Sequence, residues 1–188
     1  MTGTRHVARG AFVPLASALV LVLTACSGGG GREYAIPKQF CGTKIPKEAI
    51  EPLLPDGKEL KQSPPRDLSD GNDTVITCAV SIDGSAMLSL RRTELDKPLT
   101  DGDKRVSRKT LHDSRSVHLP DVHWAVQGDD ELHLSTPCKS SRADSRSYLF
   151  DFRDGKEQSS SPRLSRKDIL RFAKAFVPRD KKKGGCTR

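Results

Sequence analysis

Leu164-Ser165-Arg166-Lys167-Asp168-Ile169-Leu170-Arg171-Phe172-Ala173-Lys174-Ala175-Phe176-Val177-Pro178 is the stretch from which the fold is read. Ile169, Phe172, Ala173, Phe176 and Val177 recur at intervals of three and four, so a helix gathers them into one apolar stripe. Ser165 can accept a free backbone N–H of the first turn, Asp168 stands three residues on as in a capping box, and Leu164 can pack on Ile169. Pro178 is expected to end the helix, since it has no N–H to continue the ladder. A one-sided helix needs an apolar surface to cover, and the preceding sequence supplies strands.

Residues 74–82 alternate, with Ile76, Cys78, Val80 and Ile82 on one face, and after Asp83-Gly84-Ser85 the pattern resumes with Ala86, Leu88 and Leu90. A three-residue loop sets Ile82 opposite Ala86 and Val80 opposite Leu88, whereas a two-residue Asp-Gly turn puts the apolar faces out of phase. A second hairpin obeys the same logic: Val122, Trp124 and Val126 turn at Gly128-Asp129-Asp130 into Leu132 and Leu134, and Pro137 ends it. Tyr148, Phe150 and Phe152 alternate along a further strand over residues 147–153. Alternation opposite an apolar helix is a core pattern, so Trp124, Tyr148, Phe150 and Phe152 are assigned to the core and not to a ligand groove. The predicted class is α+β: an antiparallel sheet of about five strands covered by the C-terminal helix, with a short helix over residues 46–54 at its edge. Residues 56–73 and 96–121 are polar and without period, and are expected to be loop.

The chain begins differently. Arg5 and Arg9 precede an apolar run from Leu15 to Leu23 that ends in small residues, the three-part pattern of a secretory signal. The run falls short of the roughly 18 apolar residues a membrane span requires. An ordinary cleaved signal is the competing reading, but Leu23-Thr24-Ala25-Cys26 resembles a bacterial lipoprotein signal. That resemblance implies cleavage before Cys26 and a diacylglyceryl group on its thiol. Ser27-Gly28-Gly29-Gly30-Gly31 then behaves as a flexible coil. The expected organisation is a signal peptide over residues 1–25, a tether over 26–37, and a single α+β domain over 38–188 with a basic tail.

With Cys26 set aside, four cysteines remain, Cys41, Cys78, Cys138 and Cys186. An even number in an exported chain indicates a disulfide framework with three conceivable pairings. Cys41 with Cys78 and Cys138 with Cys186 is expected, because each pair closes its own loop of a few tens of residues. Zinc is excluded by spacing, since no C-x2-4-C pair occurs.

Without residues 1–25 the chain carries 30 Lys and Arg against 24 Asp and Glu, a net of +6. Residues 163–188 hold ten of those cations and two acids, so the tail is +8 and the remainder −2. A short run such as Lys181-Lys182-Lys183 is ordinarily solvated charge. The contrast between the two ends still marks Arg166, Lys167, Arg171, Lys174, Lys181, Lys182 and Lys183 as contacts for an anionic envelope polymer or lipid headgroups. Nucleic acid is not an expected partner, because no aromatic-rich basic groove accompanies the charge.

The Cys26 signal, the tether, Phe40-Cys41-Gly42-Thr43, Leu53-Leu54-Pro55-Asp56-Gly57 and the spaced Cys78, Cys138 and Cys186 together make the chain similar to the small lipoproteins of high-GC Gram-positive actinobacteria. The resemblance implies a place on the outer face of the cytoplasmic membrane and carries over no catalytic residue.

Chemistry is harder to find. Gly84-Ser85-Ala86 lies in a strand-to-strand turn and not in a nucleophile elbow, and the expected disulfides leave no free thiol. His112, His118, His123 and His133 lie near Asp113 and Asp121, and the three-residue hairpin register sets His123 opposite Ser135 and His133 opposite Ala125, diagonal neighbours that could share a cation. No H-E-x-x-H spacing supports a metal site. Asn72-Asp73-Thr74 matches a glycosylation acceptor, without weight in a bacterial setting. No cofactor motif occurs. The expectation is a non-enzymatic, lipid-anchored binding module; the alternative is an extracytoplasmic enzyme whose site assembles from distant residues.

Overall fold

A computed structural model of the chain describes residues 31–69, 74–140, 143–154 and 164–186. Residues 1–25, Cys26, Asn72-Asp73, Arg163 and Arg188 lie outside the described residues. The alternating segments form the long strands β5 (Thr74–Ile82), β6 (Ser85–Leu95), β9 (Glu131–Ser140) and β10 (Ala143–Asp154) and the shorter β8 (Trp124–Gln127). With β3 (Leu60–Gln62), β4 (Arg66–Asp67) and β7 (Arg115–Ser116) they pair into one antiparallel sheet of eight strands. Its order is β3-β5-β6-β10-β9-β8-β7, with β4 also on β5. The hairpin β1 (Gln39–Phe40) and β2 (Thr43–Lys44) leads into α1 (Lys47–Ile50) and a 3-10 turn at Glu51–Leu53, where the short edge helix was expected.

Helix α3 (Arg166–Lys183) lies across one face of the sheet. Ser165 caps it by accepting the Asp168 N–H at 3.1 Å. Its stripe buries Ile169, Phe172, Ala173, Phe176 and Val177, and the Phe172 ring meets Phe152 edge-on at 5.7 Å while Phe176 meets Phe150 at 6.3 Å. Phe40 of the first hairpin closes the aromatic group, 5.4 Å from Phe172. Cys41 is joined to Cys78 and Cys138 to Cys186, with Cα separations of 5.8 and 4.9 Å, the expected pairing. The fold is α+β, as predicted. Among the described residues, the two hydrophobic clusters run from Tyr34 to Cys186 and include both disulfides.

Several expectations are corrected. Helix α3 does not stop at Pro178. Pro178 and Lys174 are both exposed, so the carbonyl that loses its partner faces water. Beyond the proline, buried Asp180 accepts the Thr43 hydroxyl at 2.6 Å and Arg92 Nη1 at 2.7 Å, binding the last turns to β2 and β6.

The hairpin of β5 and β6 turns on two residues, not three: Ile82 pairs with Ser85 across Asp83-Gly84, whose φ angles are 51° and 82°. Positive φ at both central residues suits an Asp-Gly turn. Phase is recovered by a bulge at Met87, buried between Ala86 and Leu88, so Val80 still faces Leu88.

The hairpin of β8 and β9 is one residue out of the expected register. Trp124 pairs with Ser135 and Val126 with His133, so Ala125 and Gln127 face the helix side with Leu134 and Leu132. Trp124 therefore leaves the main core. It packs with Val126, Leu111 and Leu99 in a second cluster on the opposite face. Pro137 does not end β9, which runs on along β10 after β8 has stopped and leaves an open edge where proline is tolerated.

Residues 96–121 are not all loop. They contain α2 (Asp101–Thr110), capped by Thr100 and Asp103 in a reciprocal box, and β7. Residues 56–73 likewise contain β3 and β4.

Candidate functional site

The seven tail cations separate into two groups. Lys167, Arg171, Lys174 and Lys182 are exposed on α3. Their spacing places them within an arc of about 80° along about 22 Å of helix, at 100° and 1.5 Å per residue. They form an outward stripe on a rigid element; Arg171 also reaches Asp168 at 3.4 Å. The other three are turned to the body. Arg166 pairs with Asp129 and Asp113, and Lys183 donates to the Cys41 carbonyl at 3.1 Å. Arg166 also holds the Asp129 carboxyl below its usual range, assisted by His112 at 2.7 Å.

Lys181 takes a third course. It lies four residues after Val177, at the border between the buried stripe and the outward one, and points its ammonium to the hydroxyl of fully buried Thr136 at 2.8 Å. Thr136 in turn gives its proton to the Asp121 carbonyl at 2.7 Å. No carboxylate pairs with Lys181 among the described residues, and burial lowers its pKa from the ordinary lysine value, opposed by the field of Asp121.

Around this ammonium opens a groove of about 560 Å³ between the second half of α3, the 118–123 segment and the end of β9. Pro120, Val122, Pro137, Val177 and Pro178 form its apolar walls beside Cys186. Lys182, Lys139, His118 and His123 also line it, with Asp121 the one carboxylate among the described residues. The groove is thus apolar in body and cationic in charge, within the size range of small-ligand sites, roughly 300 to 1,000 Å³.

The opposite face of the sheet carries a polar trough of about 510 Å³. Here His133 lies between Glu131, 2.9 Å from Nε2, and Asp151, 3.8 Å from Nδ1, and Arg153 pairs with Glu131 at 2.6 Å. Burial raises the Asp151 carboxyl above its usual range, although His133 and Arg91 oppose the shift. His123 and His133 are not neighbours. The register shift puts His123 at the groove by α3 and His133 in the trough on the other face, so they do not share a cation. No group of three metal-ligating side chains converges among the described residues.

The residues that line the groove are scattered between positions 118 and 186, which hid it from the sequence. One signal was present: reading the helical period through Pro178 puts Asp180 on the buried face and Lys181 at its edge, beyond Val177. No helix among the described residues is long and apolar enough to cross a membrane. No protein-family model, curated protein or solved structure matches the chain.

Proposed function

We propose that the chain is a cell-envelope lipoprotein, anchored through Cys26 at the outer face of the cytoplasmic membrane, that acts as a non-enzymatic binding module for an anionic surface, either lipid headgroups or wall polymer. The observation that carries the binding half is the outward stripe Lys167, Arg171, Lys174 and Lys182 on a helix whose far end is held by the Cys138–Cys186 link. Each cation near an anionic surface contributes about 1 kcal/mol. The anchor half is supported by Leu23-Thr24-Ala25-Cys26 and by the Gly-rich tether after it.

Cell fractionation tests both halves. The wild-type protein is expected in the membrane fraction with an acylated N-terminal Cys26, and Cys26→Ala is expected to lose the acyl mass. What remains bound of Cys26→Ala is expected to wash off in high salt, and a wild-type N-terminus that is unmodified or begins elsewhere refutes the anchor.

One observation favours the alternative of an extracytoplasmic enzyme: Asp151, with its raised carboxyl, beside His133 in a trough. A panel of chromogenic ester, amide, glycoside and phosphate substrates, with Asp151→Asn as control, decides between them. Turnover lost in Asp151→Asn establishes the enzyme, and its absence throughout the panel leaves the binding module as the reading.

A further inference from the structure

The groove beside Lys181 shares Lys182 with the outward stripe but is otherwise distinct from it, and its chemistry does not depend on the anchor at Cys26. We infer that this groove binds a single-chain anionic amphiphile, with the alkyl chain against Val122, Pro137, Val177 and Pro178 and the anionic head on Lys181 and Lys182. The shape and the charge lead there independently.

The side chains of Pro120, Val122, Pro137, Val177 and Pro178 carry no hydrogen-bonding group, so the part of a ligand they cover gains by leaving water, about 25 cal/mol per Å² of apolar surface. The volume of about 560 Å³ is modest and open to one side, which suits one chain and not a folded polymer.

The charge selects the head. Lys181 spends one N–H on Thr136 and has no ion-pair partner among the described residues. Its lowered pKa is the mark of an ammonium partly stripped of water, a cost that an anion at the same place offsets. Beside Lys181 stands a second ammonium, Lys182, and among the described residues Asp121 is the one carboxylate that lines the groove. A cationic head meets repulsion there, and a neutral head leaves Lys181 without a counter-charge. A carboxylate and a phosphate monoester both satisfy the site.

The test is calorimetric titration of residues 27–188, which contain every core residue among the described ones, with probes held below their micelle concentrations. Dodecanoate and dodecyl phosphate are expected to bind once per chain. Dodecyl maltoside and dodecyltrimethylammonium, with the same chain, are expected to bind at least about tenfold more weakly, and inorganic phosphate alone not measurably. Lys181→Met keeps the aliphatic stem and is expected to weaken dodecanoate by about tenfold or more, the scale of a charge-assisted hydrogen bond. Lys182 is exposed, so Lys182→Glu folds in any case and is expected to cost about fivefold or more. Lys167→Glu with Lys174→Glu, on the outward stripe, is expected to leave dodecanoate unchanged while weakening attachment to anionic vesicles, which separates failure of this site from failure of the surface reading. Equal affinity for dodecanoate and dodecyl maltoside, or dodecanoate affinity untouched by Lys182→Glu, overturns the inference.

Discussion

Asp180→Ala removes the carboxylate that, among the described residues, binds the post-proline turns of α3 to the sheet. Asp180 is 2% exposed, and its two oxygens serve Thr43 at 2.6 Å and Arg92 at 2.7 Å. The Arg92 side chain is itself only 18% exposed, so the substitution leaves its guanidinium with the face of Tyr148 at 5.1 Å and no carboxylate in its place. Breaking a buried pair in this way costs about 3 to 5 kcal/mol, against about 0 to 1 for a surface pair. At about 2 to 4 °C per kcal/mol for a domain of this size, the melting temperature should fall by about 6 to 20 °C. Urea unfolding of Asp180→Ala, Arg92→Met and the double variant measures the effect. The double variant should be less destabilised than the sum of the singles, since it leaves no unpaired charge. A loss under about 1 kcal/mol for Asp180→Ala, or strict additivity, would refute the reasoning.

Removing Cys41 and Cys78 together should cost about 3.8 kcal/mol for a separation of 37 residues, and removing Cys138 and Cys186 about 4.1 for 48, by the loop-entropy relation. Denaturant melts measure both, and unreduced peptide mapping should recover these two links and no others. Asp151→Asn should be at least as stable as the wild type at pH 7: burial raises the folded carboxyl's pKa, so ionising it costs stability above that pKa, and the cost fades as pH falls toward 3.8. Melts across pH check this, and a wild type more stable than Asp151→Asn at pH 7 contradicts it. Asp129→Asn should behave oppositely, because Arg166 and His112 depress its pKa. The wild type should hold an advantage above pH 3.8 that disappears as the medium is acidified through the depressed pKa. Dodecanoate affinity should decline with rising pH as Lys181 loses its proton, below the ordinary lysine value of 10.5.

What could be read from the sequence was what repeats within one element. The stripe of α3, the alternation of Tyr148, Phe150 and Phe152, and the cysteine pairing needed only local period or simple spacing. The misplaced features depend on partners far along the chain. Asp83-Gly84 turns in two residues because Met87 bulges on β6, and nothing near Met87 announces a bulge. Trp124 crosses to the other face because Leu99 and Leu111, from the polar segment around α2, supply a second small core there. Helix α2 buries no residue and so shows no apolar stripe; its legible sign was the Thr100 and Asp103 cap. Pro178 reads as an end because its cost is local, whereas Thr43 and Arg92, which hold the chain helical beyond it, lie far earlier in the sequence. The stripe was visible as a charge excess, but the division of its cations between solvent, carboxylates and the groove is set by packing.

The central claim, that the folded domain engages anionic surfaces through α3, is tested most directly by sedimenting residues 27–188 with anionic vesicles, neutral vesicles and purified wall at low and high salt. The account predicts binding to at least one anionic surface at 0.1 M salt, none to neutral vesicles, and release toward 1 M as the screening length falls from about 10 to about 3 Å. Lys167→Glu with Lys174→Glu should abolish it. Equal and negligible binding to all three surfaces, or binding indifferent to salt and to those substitutions, would contradict the account.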